Sequence, residues 1–93
     1  MSNPRRTALV TGASYGIGAA IAHVLARDGY DVAVTELNAD ALGNTLAQIS
    51  AHGVRGLPLT LDVRSQASIE ACMQEALGVF GHLDVLVNNA GVP

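Results

Sequence analysis

The sequence predicts an α/β fold in which helices cover both faces of a parallel sheet. Four short apolar runs alternate with three segments of helical period, and this alternation is typical of right-handed βαβ units. The strand runs are apolar nearly throughout, which indicates that neither face of the sheet is open to solvent. A glycine-rich stretch follows the first run and leads directly into the first helical segment. We therefore predict a doubly wound parallel sheet, in one domain over residues 1–93.

The four predicted strands share a high content of apolar and β-branched residues. They are Thr7–Thr11, Asp31–Thr35, Val54–Leu61 and Leu83–Val87. The third run also carries Arg55, Gly56 and Pro58, which weaken a strand. Because proline cannot donate a hydrogen bond to a neighbouring strand, we expect only the second half of this run to pair, at an edge of the sheet.

Apolar residues at helical spacing predict one helix in each of the three intervening segments. The apolar stripes are Ile17, Ala20, Ile21, Val24 and Leu25 in the first, Leu42, Leu46 and Ile49 in the second, and Ile69, Met73, Ala76, Leu77 and Phe80 in the third. Residues suited to helix ends flank these segments. They are Asn38 and Ser65 as N-caps, and Gly29, Gly53 and Gly81 as left-handed C-terminal residues.

The composition is that of a small globular protein. The chain has 93 residues, of which 49% are hydrophobic, and eight acidic residues against five basic ones give a net charge of −3. Binding to nucleic acid or to an anionic membrane needs a basic surface, so we expect neither partner. No apolar run approaches the length of about 20 residues that a membrane helix needs. The single cysteine excludes an internal disulfide, and we expect a cytoplasmic protein.

The stretch 11–18 (TGASYGIG) joins the first predicted strand to the first helix. A Walker loop would need a lysine after its last glycine, whereas Ala19 follows Gly18. Instead, Gly12 permits a tight turn, Gly16 leaves room for the backbone to approach a pyrophosphate, and Gly18 allows close packing of the helix. The N–H groups at the start of the helix would then face the anion. For this stretch alone, an ordinary glycine-rich turn is the alternative.

Polar residues follow each of the other predicted strands at its carboxyl end. Glu36 lies eighteen residues after Gly18, Asp62 follows the third strand, and residues 88–91 (NNAG) follow the fourth. Parallel strands end at one edge of a sheet, so these residues are expected to meet where α/β folds bind ligands. Taken singly, the acids could be loop or helix-start residues and the asparagines a turn. Their coincidence at one edge favours a dinucleotide site, in which Glu36 accepts a hydrogen bond from a ribose hydroxyl.

The glycine stretch, Asp62 and the Asn-Asn-Ala-Gly segment together resemble the motifs of the short-chain dehydrogenase/reductase family, from about Thr7 to Val92. The resemblance implies a partial Rossmann-like fold with strand order 3-2-1-4. It also implies a nicotinamide dinucleotide cofactor, and hydride transfer between that cofactor and an alcohol or carbonyl. With the residues above, it implies a cofactor site formed by Gly12, Ser14, Tyr15, Gly16, Ile17, Gly18, Glu36, Leu37, Asp62, Val63, Asn89, Ala90 and Gly91.

The resemblance also implies a role for each part of this site. Residues 14–17 would line the pyrophosphate and the adenosine side of the cofactor. Asp62 and Val63 would hold the adenine, and residues 89–91 would pass along the ribose. Asn88 would mainly brace the sheet.

We expect NAD rather than NADP as the cofactor. The carboxylate of Glu36 accepts a hydrogen bond from a ribose 2′-hydroxyl but repels a 2′-phosphate. Members of the resembled family that prefer NADP carry a base beside the middle glycine or just after the second strand, where this chain has Tyr15 and Leu37. Glutamate in place of the commoner aspartate adds a methylene, which is expected to loosen the ribose contact.

No catalytic residue is expected within the chain. In the resembled family a tyrosine, a lysine four residues later, a serine and an asparagine act in proton transfer, and all lie beyond the Asn-Asn-Ala-Gly segment. Here Tyr15 and Tyr30 are followed four residues later by Ala19 and Val34, and the sequence has no lysine. We therefore interpret the chain as the N-terminal half of an oxidoreductase, inactive on its own. The parent would be a homo-oligomer acting on a small alcohol or carbonyl substrate, such as a 3-oxoacyl, sugar or steroid compound.

The histidines and the cysteine do not indicate a metal site. His23 lies off the apolar stripe of the first helix and is expected to be solvated. His52 lies in the last turn of the second helix and His82 in a loop, without metal-ligand spacing. Cys72 lies near the apolar face of the third helix and is expected in the core.

Two other functional classes fit the same sequence. A nucleotide-binding or regulatory domain would use the same site without chemistry, and an inactive partial product would have no function of its own. A reading frame that continues into a Tyr-x-x-x-Lys motif would favour the enzyme.

Overall fold

The computed structural model describes residues 5–90, which form one four-stranded sheet and three α-helices. In chain order the elements are β1 (Thr7–Val10), α1 (Gly16–Arg27), β2 (Asp31–Glu36), a short 3-10 helix (Ala39–Leu42), α2 (Gly43–Ser50), β3 (Gly56–Thr60), α3 (Gln66–Phe80) and β4 (Val85–Val87). Neighbouring strands are parallel, and their order is β3-β2-β1-β4. The predicted α/β fold and strand order are therefore confirmed.

Each face of the sheet has its own apolar core, because successive residues of a strand point to opposite faces. Helices α1 and α2 cover the face that holds Val10, Val32 and Val34. Helix α3 covers the other face, where Leu9 and Ala33 pack with residues of β3 and α3. Coverage of both faces explains why the strand runs are apolar nearly throughout.

The buried face of α1 differs from the predicted apolar stripe. Ile17 is 73% exposed and Val24 is 39% exposed, whereas Gly18, Ala22 and Ala26 are buried. The small residues let the helix lie close against the sheet. Ile21 and Leu25 of the predicted stripe are partly buried and pack against the same core, so the stripe is confirmed at these two residues and wrong at Ile17 and Val24.

The predicted helix ends are present. The side chain of Asn38 accepts the backbone N–H of Asp40 at 3.0 Å, and that of Ser65 accepts the N–H of Ser68 at 3.2 Å. The first of these caps begins the 3-10 helix ahead of α2 rather than α2 itself. Positive φ angles follow the helices at Gly29, Gly53 and Gly81. Within residues 5–90, no helix combines the length and the apolar character that a membrane span requires.

Strands β3 and β4 are shorter than predicted. As expected from Pro58, β3 lies at an edge of the described sheet. The expectation that only the second half of the run pairs is wrong, because β3 pairs with β2 over Gly56–Thr60. An edge strand tolerates the glycine and the proline, since it has a partner strand on one side alone. Ahead of β4, the side chain of Asp84 takes part in the pairing with β1, since its Oδ2 accepts the N–H of Thr7 at 2.8 Å. Regular strand geometry therefore begins at Val85.

Cys72 lies in the core of the α3 face, as predicted, with 3% of its surface exposed. Burial, and then the charge of Glu75, raise the pKa of its thiol. A thiol with a raised pKa forms little reactive thiolate near neutral pH, so Cys72 is a packing residue.

Candidate functional site

A cleft of ≈ 550 Å³ opens at the carboxyl edge of the sheet, among the segments that follow the four strands. Most of the residues predicted to bind the cofactor line it: Gly12, Tyr15, Gly16, Ile17, Glu36, Leu37, Asp62, Val63, Asn89 and Ala90. Thr35, Leu61 and Arg64 also line the cleft and were not predicted. Of the other predicted residues, Ser14 and Gly18 support the lining from behind, and Gly91 lies outside the described residues.

The turn after β1 packs so tightly against α1 that no side chain fits at Gly18. A Cβ atom there would lie 2.2 Å from the carbonyl oxygen of Gly12 and 2.6 Å from the side-chain nitrogen of Asn89. Gly12 itself has a φ of 64°, which other residues rarely adopt. At Gly16 the Cβ position is open, with no atom within 4 Å. The turn thus presents bare backbone to the cleft, as close approach of a pyrophosphate requires.

A threonine hydroxyl ties this turn to the end of β4. The Oγ1 of Thr11 donates to the carbonyl oxygen of Val87 at 3.3 Å. The Oγ1 of Thr11 also accepts the backbone N–H groups of Asn89 and Ala90, each at 3.0 Å. Sequence reasoning did not single out Thr11, although a buried hydroxyl at a strand end opposite two asparagines is a usable signal.

Asn89 rather than Asn88 braces the glycine-rich turn. The side chain of Asn89 donates to the carbonyl oxygen of Gly12 at 3.1 Å, whereas Asn88 is exposed. A register that sets β4 beside β1 brings Asn89 to the first glycine of the turn. The bracing role expected of Asn88 therefore falls to its neighbour, which also lines the cleft.

The start of α1 leaves its backbone N–H groups available to an anion. Tyr15 occupies the N-cap position without a side-chain hydrogen bond, and the first turn carries no acidic residue. In contrast, Ser65 caps the start of α3 with its side chain. Because Tyr15, Gly16 and Ile17 line the cleft, the positive end of the helix dipole lies at the cleft.

Glu36, at the end of β2, is held by the glycine-rich turn. Its Oε2 accepts the backbone N–H of Ser14 at 3.1 Å and the Ser14 hydroxyl at 2.5 Å. Two donors on one oxygen fix the carboxylate in the cleft wall and leave its other oxygen for a ligand. The extra methylene of glutamate, expected to loosen the ribose contact, lets the carboxylate reach back to Ser14.

Asp62, which follows β3, is joined to an arginine of the same loop. Its carboxylate accepts the backbone N–H of Arg64 at 3.0 Å, the Nε–H at 3.1 Å and an Nη2–H at 3.3 Å. Hydrogen bonds from the Arg64 side chain, and then from its backbone, hold the pKa of Asp62 below its ordinary value. The cleft therefore contains a cation that the sequence analysis missed, already paired with an acid.

The two tyrosines lie in different places. Tyr15 lines the cleft and is 80% exposed. Tyr30 precedes β2, at the opposite edge of the sheet, and its hydroxyl accepts a hydrogen bond from Arg6 at 3.4 Å. That the chain holds no catalytic residue stays a prediction.

Comparison with known proteins decides the family. Residues 6–93 match the family model described as short chain dehydrogenase. The chain belongs to the short-chain dehydrogenase family. Sorbitol dehydrogenase of Cereibacter sphaeroides is 42% identical to it over 87 residues, which cover 94% of this chain and 33% of that protein. The chain thus spans about a third of the length of the curated relatives it matches.

Part of each of two solved dehydrogenase structures has the architecture of this chain. The alcohol dehydrogenase of Thermococcus sibiricus, complexed with 5-hydroxy-NADP, is 40% identical with a TM-score of 0.89 and matches over 95% of this chain and 38% of its own. A xylitol dehydrogenase bound to NAD⁺ is 34% identical with a TM-score of 0.89, over 94% of this chain and 34% of its own. These two neighbours differ in cofactor, since one is complexed with 5-hydroxy-NADP and the other is bound to NAD⁺.

Proposed function

We propose that this chain forms the cofactor-binding half of an NAD-dependent short-chain oxidoreductase. The full enzyme would transfer hydride between the nicotinamide and a small alcohol or carbonyl substrate. The observation that carries this proposal is that the uncapped start of α1 and the fixed carboxylate of Glu36 line the same cleft. A helix start suits the pyrophosphate, and a carboxylate suits the ribose hydroxyls of NAD.

Each part of the cleft then has a role toward the cofactor. The backbone of residues 14–17 binds the pyrophosphate, and the free carboxylate oxygen of Glu36 accepts a hydrogen bond from the adenosine ribose. Asp62 and Val63 hold the adenine, and Asn89 and Ala90 lie along the ribose. When bound, the nicotinamide ring supplies the position that gains or loses the hydride.

The charges of the cleft support NAD over NADP. Two hydrogen bonds from Ser14 hold Glu36 in place, so a 2′-phosphate would meet a negative charge that cannot easily turn away. Arg64 lines the same cleft, but its guanidinium is already bonded to Asp62. A 2′-phosphate would have to compete with that carboxylate for the cation, whereas a 2′-hydroxyl needs no cation.

The proposed substrate is a small molecule that carries a hydroxyl or oxo group. A sorbitol dehydrogenase and a 3-oxoacyl-[acyl-carrier-protein] reductase are each 42% identical to this chain, which supports a sugar alcohol and a 3-oxoacyl thioester equally. A steroid alcohol is the other member of the proposed class. The tyrosine and lysine that would move the proton belong, in this proposal, to sequence outside the chain, so residues 1–93 alone would be inactive.

The test is steady-state kinetics of the full natural polypeptide that carries this sequence, with a panel of sugar alcohols, 3-oxoacyl thioesters and steroid alcohols. We expect turnover of at least one class, with a higher kcat/KM for NAD than for NADP, and no turnover by residues 1–93 alone. Tight binding of NAD without turnover of any class would contradict the enzyme and favour a regulatory nucleotide-binding domain.

A further inference from the structure

Two histidines that lie far apart in the sequence meet on the outer surface of the α1–α2 layer. His23 belongs to α1, and His52 lies two residues after the end of α2. The Nδ1 atom of His23 and the Nε2 atom of His52 are 3.4 Å apart, with ring centroids 4.8 Å apart and ring planes at 60°. His52 therefore lies beyond the helix turn in which the sequence placed it, and His23 is half-buried rather than fully solvated. Neither residue lines the cofactor cleft.

The separation of the two nitrogen atoms allows a long hydrogen bond between the rings and also fits a shared metal ion. At 3.4 Å one ring nitrogen can donate its N–H to the other, at the long end of hydrogen-bond distances. Two imidazole nitrogens bound to tetrahedral Zn²⁺ at about 2.0–2.1 Å are about 3.3–3.4 Å apart, the edge of that tetrahedron. The observed separation thus matches a zinc edge without movement of the backbone.

The backbone positions that carry the two rings are fixed by the fold. His23 lies between residues of α1 that pack into the core, since Ala22 and Ala26 are both buried. The chain after α2 is fixed by the buried Ile49, whose carbonyl oxygen accepts the N–H of His52 at 3.1 Å. Little conformational entropy would be lost when a metal ion binds, because only the side-chain torsions of the two histidines would become restricted.

We propose that His23 and His52 form a two-histidine site for Zn²⁺. The two imidazoles supply half of a tetrahedral shell, and water completes it, since residues 5–90 bring no group of three or more histidine, cysteine or acidic side chains together. Neutral imidazole is the ligand type that zinc favours. The ion links α1 to the end of α2, and therefore stabilises the layer that positions the glycine-rich turn.

The test is a calorimetric titration of the full natural polypeptide with Zn²⁺ alone, in buffer of constant pH. We expect one zinc ion per chain on this pair, and a loss of affinity of about tenfold or more in His23→Gln and in His52→Gln. His82→Gln is the matched control, because His82 lies in a different loop beside Asp84, and it should bind zinc like the unmodified protein.

A second readout separates loss of the site from loss of the fold. Without metal, the melting temperature of His23→Gln should equal that of the unmodified protein, while added Zn²⁺ should raise it in the unmodified protein and not in the variant. Zinc affinity that is unchanged in both variants, or lost in His82→Gln, would overturn the proposal. Neither outcome bears on the cofactor site, because the histidine pair lies outside the cleft.

Discussion

Replacement of Gly18 by alanine is expected to lower the free energy of unfolding by about 3 kcal/mol or more, and to abolish cofactor binding. The added Cβ would lie 2.2 Å from the carbonyl oxygen of Gly12 and 2.6 Å from the side-chain nitrogen of Asn89. Displacement of either neighbour costs free energy, because the first is a backbone atom and the second makes the hydrogen bond that braces the turn. The helix start must therefore move away from the turn, and the pyrophosphate site is lost with it.

Gly78→Ala is the matched control for this substitution. Gly78 lies in α3, is exposed, and has no atom within 4 Å of its Cβ position. Alanine there gains helix propensity of about 1 kcal/mol and meets no obstacle. Chemical denaturation of both variants, together with NAD titration, measures the contrast. Equal free energies of unfolding in the two variants would contradict the close packing of the turn against α1.

Replacement of Glu36 by glutamine is expected to reduce the preference for NAD over NADP by about a hundredfold. At a separation of about 4 Å, two like charges near a protein surface repel by up to about 4 kcal/mol. Glutamine keeps the length of the side chain and can still accept hydrogen bonds from Ser14, so the change isolates the charge. The measurement is the ratio of kcat/KM values for the two cofactors in the full natural polypeptide.

Further variants at this edge test the same account. Glu36→Ala should also lower the ratio of kcat/KM for NAD to kcat/KM for NADP. Leu37→Arg should lower this ratio further, because the side chain of Leu37 is exposed and lines the cleft, where an arginine could meet the 2′-phosphate. Ser14→Ala removes the hydroxyl that holds the carboxylate, so it should weaken NAD binding while the charge still discriminates against NADP. Comparable kcat/KM values for NAD and NADP in the unmodified protein would refute the assignment of Glu36.

The strands, the helices and the edge that carries the cleft could be predicted from local patterns, whereas the order of the strands was predicted from the family resemblance. An apolar run that ends in a polar residue marks the carboxyl end of a strand, and parallel strands bring such ends together. Such strand ends located Glu36 and Asp62. The helix ends were located by their residue types, since asparagine and serine favour N-caps and glycine favours the left-handed C-terminal position. Glycine spacing likewise located the turn between β1 and α1.

The contacts that depend on packing distances could not be predicted. The buried side of α1 follows from how closely Gly18 lets the helix approach the sheet, which no hydropathy pattern encodes. The bond between Asn89 and Gly12 joins residues 77 positions apart, and the contact between His23 and His52 joins residues 29 positions apart. Contacts of this kind depend on the tertiary arrangement of the helices and strands, which the local sequence does not specify.

The most direct test of the cofactor assignment is a crystal structure of the full natural polypeptide with NAD bound. The account predicts the pyrophosphate at the first turn of α1 and the adenosine ribose on the carboxylate of Glu36. It also predicts that the adenine lies beside Asp62 and Val63. A dinucleotide bound elsewhere on the protein, or bound in the cleft with its ribose hydroxyls away from Glu36, would contradict it.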